Sequence, residues 1–118
     1  VCHPNWWGRP PAIVKGWINR VFRLDTAYAS PSGVGPEGTP DGLLRARHAF
    51  VFNTSNTSHE REVSLFGDPL ETLWRNCIFG LCGVASVVRR MYAPASASTP
   101  EQRAAWLAEV KALVENAA

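Results

Sequence analysis

From position 13 onward the apolar residues Ile13, Val14, Trp17, Ile18, Val21 and Phe22 recur at helical spacing, while Lys15, Asn19, Arg20 and Arg23 lie mainly off that stripe. The pattern predicts an amphipathic helix of about three turns, started by Pro10 and Pro11, whose missing N–H groups cost nothing in a first turn. The run His48-Ala49-Phe50-Val51-Phe52 is instead continuously apolar, aromatic and β-branched, and predicts a buried parallel strand. Helical spacing returns in Leu70, Leu73, Trp74, Cys77, Ile78 and Leu81 after a capping-box-like Asp68-Pro69-Leu70-Glu71. Gly80 weakens the last turn of that helix and Gly83 ends it. Val84-Ala85-Ser86-Val87-Val88 predicts a further strand, extending towards Met91 before Pro94. Thr99-Pro100-Glu101-Gln102 is a capping box, and Trp106, Val110, Leu113 and Val114 mark the face of a terminal helix.

The connecting segments carry the candidate chemistry. At the start, Cys2-His3-Pro4-Asn5-Trp6-Trp7-Gly8-Arg9-Pro10-Pro11 sets adjacent tryptophans and a glycine between a strand end and the first helix. Large apolar faces where the backbone turns are hard to bury, so they suit a wall against a flat ligand; the alternative is a pair of tryptophans plugging a core or an interface. The strand at 48–52 ends in Asn53-Thr54-Ser55-Asn56-Thr57-Ser58, a cluster of amides and hydroxyls where open α/β sheets bind ligands, or else a plain polar turn. The stretch from Asp25 to Gly42 is too rich in glycine and proline for regular structure and predicts a long surface loop, with Tyr28 as a substrate-side residue or an aromatic anchor. The order is alternating α/β with a parallel sheet. Both ligand-like loops then fall on one edge of the sheet and form one crevice, suited to a planar heterocycle with polar edges.

Composition narrows the class. The 118 residues, 46% hydrophobic and 19% charged, suffice for one domain with one core. A net charge of +2 gives no argument for a nucleic-acid partner. No apolar run reaches the ~20 residues of a membrane span. Cys2, Cys77 and Cys82 form no paired framework, so reduced thiols and a cytoplasmic location are expected, with glycosylation at Asn53 or Asn56 set aside. His3, His48 and His59 show no metal-ligand spacing, and no metal is expected. The chain begins with Val1 rather than methionine, and the first loop follows only two or three strand residues. The expectation is the C-terminal part of a larger domain.

Pro4-Asn5-Trp6-Trp7-Gly8-Arg9-Pro10-Pro11-Ala12-Ile13-Val14-Lys15-Gly16-Trp17-Ile18-Asn19-Arg20-Val21 resembles the flavin-loop and helix signature of the NAD(P)H:quinone oxidoreductase family, which includes the bacterial modulator of drug activity B type. The likeness continues through Gly42-Leu43-Leu44, Asn53-Thr54-Ser55-Asn56-Thr57, Gly67-Asp68-Pro69 and Phe79-Gly80-Leu81-Cys82-Gly83 into the terminal helix. The resemblance implies a flavodoxin-like three-layer sandwich with a parallel sheet, whose N-terminal strand–helix units and phosphate-binding loop lie outside residues 1–118. It implies FMN, or FAD, as cofactor, NAD(P)H as co-substrate, a small quinone-like electron acceptor, and a homodimer. The flavin ring would lie against Pro4, Asn5, Trp6, Trp7 and Gly8 on one side and Asn53, Thr54, Ser55 and Asn56 on the other.

The chain also departs from the family pattern. Its second loop lacks the glycines that let a backbone approach a ring closely. The positions of the Tyr and His that assist hydride transfer in the family hold Glu60 and Phe66, so no catalytic residue is assigned; His59 is the nearest histidine. An alternative is a non-catalytic flavodoxin-like regulatory or ancillary subunit. A third reading drops flavin and makes Trp6 and Trp7 a sugar-stacking or protein-binding surface.

Overall fold

The computed structural model describes residues 1–30 and 38–117. Three strands, β1 (Cys2–Pro4), β4 (His48–Thr54) and β5 (Ser86–Tyr92), form a parallel sheet in the order β1-β4-β5. Register pairs His3 with Asn53 and Asn53 with Met91, so all three strands end together. The helices are α1 (Ala12–Val21), α2 (His59–Phe66), α3 (Pro69–Glu71), which runs on into a π-helix (Thr72–Gly80), and α4 (Pro100–Glu115).

Strand alternation assigns the two faces of the sheet. Ala49, Val51 and Val87 meet Ile18 of α1 and Leu70, Trp74, Ile78 and Phe79 of the α3/π-helix, and this is the core. The opposite face carries a row of rings, Phe50, Phe52 and Tyr92, and there Tyr92 meets Trp106 of α4 with ring centroids 5.4 Å apart. Helices therefore lie on both faces of a parallel sheet, as the alternating pattern predicts.

Several boundaries differ from the sequence reading. Strand β4 runs through Asn53 and Thr54, because their backbones pair with β1 and β5 on either side whatever their polarity. Strand β5 starts at Ser86, and Val84 is instead a core residue before it. The helix after Asp68 switches to π geometry, with Leu81 N–H donating to Asn76 O at 3.2 Å. Wider turns move the buried stripe, so Phe79 joins Leu70, Trp74 and Ile78 inside while Cys77 is exposed. Gly80 suits this coil, since a Cβ there would stand 2.5 Å from Arg75 O.

The long loop expected from Asp25 to Gly42 has a folded base. Tyr28 and Ala29 (β2) pair antiparallel with Asp41 and Gly42 (β3), and the centre of the loop lies outside the described residues. The α4 capping box forms as predicted: Thr99 Oγ1 accepts from Gln102 N–H at 3.2 Å, and Gln102 Oε1 accepts from Thr99 N–H at 2.9 Å. At Asp68 only half of a box forms: its Oδ1 accepts from Glu71 N–H at 3.4 Å, whereas the Glu71 carboxylate turns to Arg75 and Arg89.

The amphipathic stripe of α1 is only partly used. Ile18 is buried and Val14 and Phe22 pack against the core, but Ile13, Trp17 and Val21 are exposed. None of α4's apolar positions is buried, with Trp106, Val110 and Leu113 half-buried and Val114 exposed. No helix among the described residues is long and apolar enough to cross a membrane, and no group of three or more His, Cys, Asp or Glu is placed to hold a metal ion.

Candidate functional site

At the C-terminal ends of β1 and β4 the chain makes a tight turn. Trp6 N–H donates to Arg9 O at 2.9 Å and Arg9 N–H donates to Trp6 O at 3.0 Å, closing a two-residue loop. Its central residues, Trp7 at φ 56° and Gly8 at φ 70°, are both left-handed, the geometry of a type I′ turn. Glycine adopts this freely, and at Gly8 a Cβ would also stand 2.8 Å from Pro69 Cγ. Tryptophan does not, and the conformation costs about 1–2 kcal/mol. The ring held at that cost is fully exposed, and Trp6 beside it is 60% exposed. The tryptophans thus plug neither the core nor a sheet face of this chain.

The turn forms one wall of a cleft of about 700 Å³. Pro4, Asn5, Trp6, Trp7, Gly8 and Arg9 line it from the first loop, Thr54, Ser55, Asn56 and Thr57 from the end of β4, Glu62 and Phe66 from α2, with Pro69 and Ala95 completing it. Asn5 N–H donates to Thr54 O at 2.7 Å, which carries the β1–β4 pairing into the cleft. The second loop is fixed from the other side, where Ser55 N–H donates to Tyr92 O at 3.0 Å and Ser96 N–H donates to Asn56 Oδ1 at 2.9 Å. Ser55 Oγ folds its own loop by accepting from Thr57 N–H at 3.1 Å.

Of the residues predicted to line the crevice, Asn53 is the one the structure sets apart. It is 1% exposed and belongs to the core face of β4, because side chains alternate across a strand and Thr54 takes the other side. Its Oδ1 accepts from Arg89 Nε at 2.9 Å. Arg89 in turn donates through Nη1 to Asp68 Oδ2 at 2.7 Å and Glu71 Oε2 at 3.2 Å. This buried network anchors the start of α3, and hence Pro69, beneath the turn.

Tyr28 and His59 lie away from the cleft. Tyr28 sits in the β2–β3 ladder, and His59 lines a separate groove with Asp68, Glu71, Arg89 and Arg90. Of the cleft residues that the sequence reading missed, Glu62 and Phe66 come from α2. Ser58, whose Oγ accepts from Arg61 N–H at 3.3 Å, and Gly67 at φ 67° bracket that helix. Those two residues were the available signal, and hydropathy was misleading: Val63, Leu65 and Phe66 are exposed whereas Glu62 is 2% exposed.

Beneath the first loop, His3 is buried in the neutral form. Burial lowers its pKa below 6.5, and the nearby Arg89 charge pushes the same way, against the raising effect of its bond to Pro4 O. Nε2 accepts from Trp74 Nε1–H at 2.9 Å, so the ring proton sits on Nδ1 and donates to Pro4 O at 2.8 Å. Cys2, Cys77 and Cys82 are free thiols.

Comparison with known proteins adds a relationship to this geometry. A sequence model of a family described by its flavodoxin-like fold matches residues 1–115. The crystal structure of Smu.1420 from Streptococcus mutans UA159 is similar to this chain with a TM-score of 0.77 and 27% identity. The similarity covers 97% of this chain and 57% of that one, so the chain spans little more than half of its solved relative's length. No curated protein matches the sequence.

Proposed function

This chain belongs to the flavodoxin-like fold family, and on that premise we propose that its cleft holds the isoalloxazine ring of FMN, or of FAD, in an NAD(P)H-dependent oxidoreductase of the quinone reductase type. The observation that carries the reading is the convergence of the tryptophan turn and the Thr54–Asn56 loop on one cleft at the sheet's C-terminal edge.

The residues present suit the group. The cleft volume is that of a small-molecule site, and its most exposed feature is a pair of indole rings held out by a strained turn. Asn5 Oδ1, in a residue of the cleft wall, is buried without a hydrogen-bond partner. Trp6 and Trp7 would cover the plane of the ring and exclude water from it, while Thr54, Ser55 and Asn56 would meet its polar edge. When bound, the flavin supplies hydride and electron transfer between NAD(P)H and a quinone-like small molecule. Free thiols at Cys2 and Cys77 accord with a cytoplasmic location. Exposed Ile13, Trp17 and Val21 on α1 accord with a homodimer.

A non-catalytic flavin-binding partner is the second reading. It is favoured by Phe66, which puts a phenyl ring in the cleft, and by Glu60, which is exposed and does not line it. These are the positions at which the resembling quinone reductases carry their assisting side chains.

Quenching of flavin fluorescence on titration with the protein tests the binding. Saturable quenching that weakens at least several-fold in Trp6→Ala and Trp7→Ala is expected; no quenching by the wild type sinks the reading. NADH oxidation with a quinone then separates the enzyme from the non-catalytic partner.

A further inference from the structure

Glu62 inverts the pattern of its helix. It is the buried residue of α2, and among the described residues no Lys, Arg or His forms an ion pair with it. Its hydrogen-bond partner is Asn5 Nδ2, at 2.9 Å across the cleft floor. A buried carboxylate without a cation is expensive, and an apolar side chain of similar volume would fill the same space at lower cost.

What the carboxylate fixes is the direction of Asn5. The Asn5 amide nitrogen donates to Glu62 Oε1, so the carbonyl oxygen of the same amide faces away from Glu62. The same nitrogen lies 3.4 Å from Ser55 Oγ, which ties the first loop to the second. Oδ1 is left buried with no partner in the protein. A donor on a ligand in the cleft would supply the partner this acceptor lacks.

We propose that Glu62 is a positioning residue that sets the hydrogen-bond polarity of the cleft wall, orienting Asn5 so that the cleft prefers a ring whose edge brings an N–H donor. The inference rests on the flavin reading of the cleft. An oxidised isoalloxazine ring carries a single ring N–H, at its imide nitrogen, and methylation there removes the donor while leaving the stacking faces intact.

The test compares lumiflavin, which is the ring without the ribityl phosphate, with 3-methyllumiflavin, reading dissociation constants from flavin fluorescence. The wild type is expected to bind lumiflavin about tenfold more tightly, the discrimination one hydrogen bond supplies. In Glu62→Gln the introduced amide can donate or accept, Asn5 is free to turn, and the preference is expected to fall to about two- or threefold. Asn5→Leu removes the acceptor and is expected to abolish the preference while both rings still bind. Should Glu62→Gln fail to fold by circular dichroism, the wild type and Asn5→Leu decide. Equal affinity of the wild type for the two rings, or a tenfold preference that survives in Glu62→Gln or Asn5→Leu, overturns the assignment of Glu62. If neither ring binds the wild type, the flavin reading itself fails and this inference with it.

Discussion

The indole N–H of Trp74 donates to Nε2 of His3 at 2.9 Å, joining residues 71 positions apart beneath the cleft. Both rings are buried, with centroids 5.5 Å apart, and the bond requires a neutral imidazole. Since burial holds the folded pKa of His3 below 6.5, the unfolded chain takes up its proton first as pH falls. This contribution to stability is therefore complete above pH 6.5 and lost as pH falls below it towards the lowered value, by up to about 1.4 kcal/mol per pH unit. Calorimetric melting between pH 7.5 and 5.5 should show a declining Tm for the wild type and a flatter profile for His3→Gln. Equal slopes would remove His3 from the account.

The turn at Trp7 and Gly8 predicts a trade between stability and binding. Trp7→Gly relieves a left-handed tryptophan and loses no buried surface, with the extra freedom of the unfolded glycine offsetting part of the gain, so the fold should gain about 0.5 kcal/mol. Flavin quenching should weaken in the same variant. Gly8→Ala meets both the left-handed backbone and Pro69 Cγ, and a loss of about 2 kcal/mol should appear in the urea midpoint. A stabilised Gly8→Ala would show that the turn is not held as described.

Arg89 is the centre of the buried polar network, and its removal leaves Asp68 and Asn53 inside without their partner. Arg89→Met should cost about 3–5 kcal/mol in chemical denaturation. Because Asp68 is followed by Pro69 in the cleft wall, the same variant should also weaken ring binding. A change in stability with binding intact would separate the network from the cleft.

The exposed face of α1 predicts self-association. Trp17→Glu places a charge in the apolar groove that Trp17 forms with Val1, Ile13 and Val14. Sedimentation equilibrium should report a dimer for the wild type and a shift to monomer for Trp17→Glu. Identical masses for the two would exclude this face as the interface.

How far the sequence was legible depends on the kind of signal. Periodicity located α1 and β4, and the cap chemistry at Thr99 fixed the start of α4, because those signals are local and backbone hydrogen bonding enforces them. Both loops that line the cleft were also legible as loops, since an adjacent tryptophan pair with glycine and prolines, and a run of amides and hydroxyls, punctuate the periodic segments. Helix α2 was missed, as its apolar residues stay outside and its glutamate goes inside. The π-helix was missed because a shift of hydrogen bonding from four residues to five leaves no mark in composition.

The sequence by itself thus determined an alternating α/β chain with a parallel sheet and two candidate ligand loops at its strand ends. Tertiary structure alone decided which side of each strand a polar residue took. One step along β4 sends Asn53 into the Arg89 network and Thr54 into the cleft, an alternation whose direction is set only when the helices cover one face. It also decided that Glu62 lies inside, because the stabilising partner of that carboxylate, Asn5, is 57 residues away and is brought to it only by the pairing of β1 with β4.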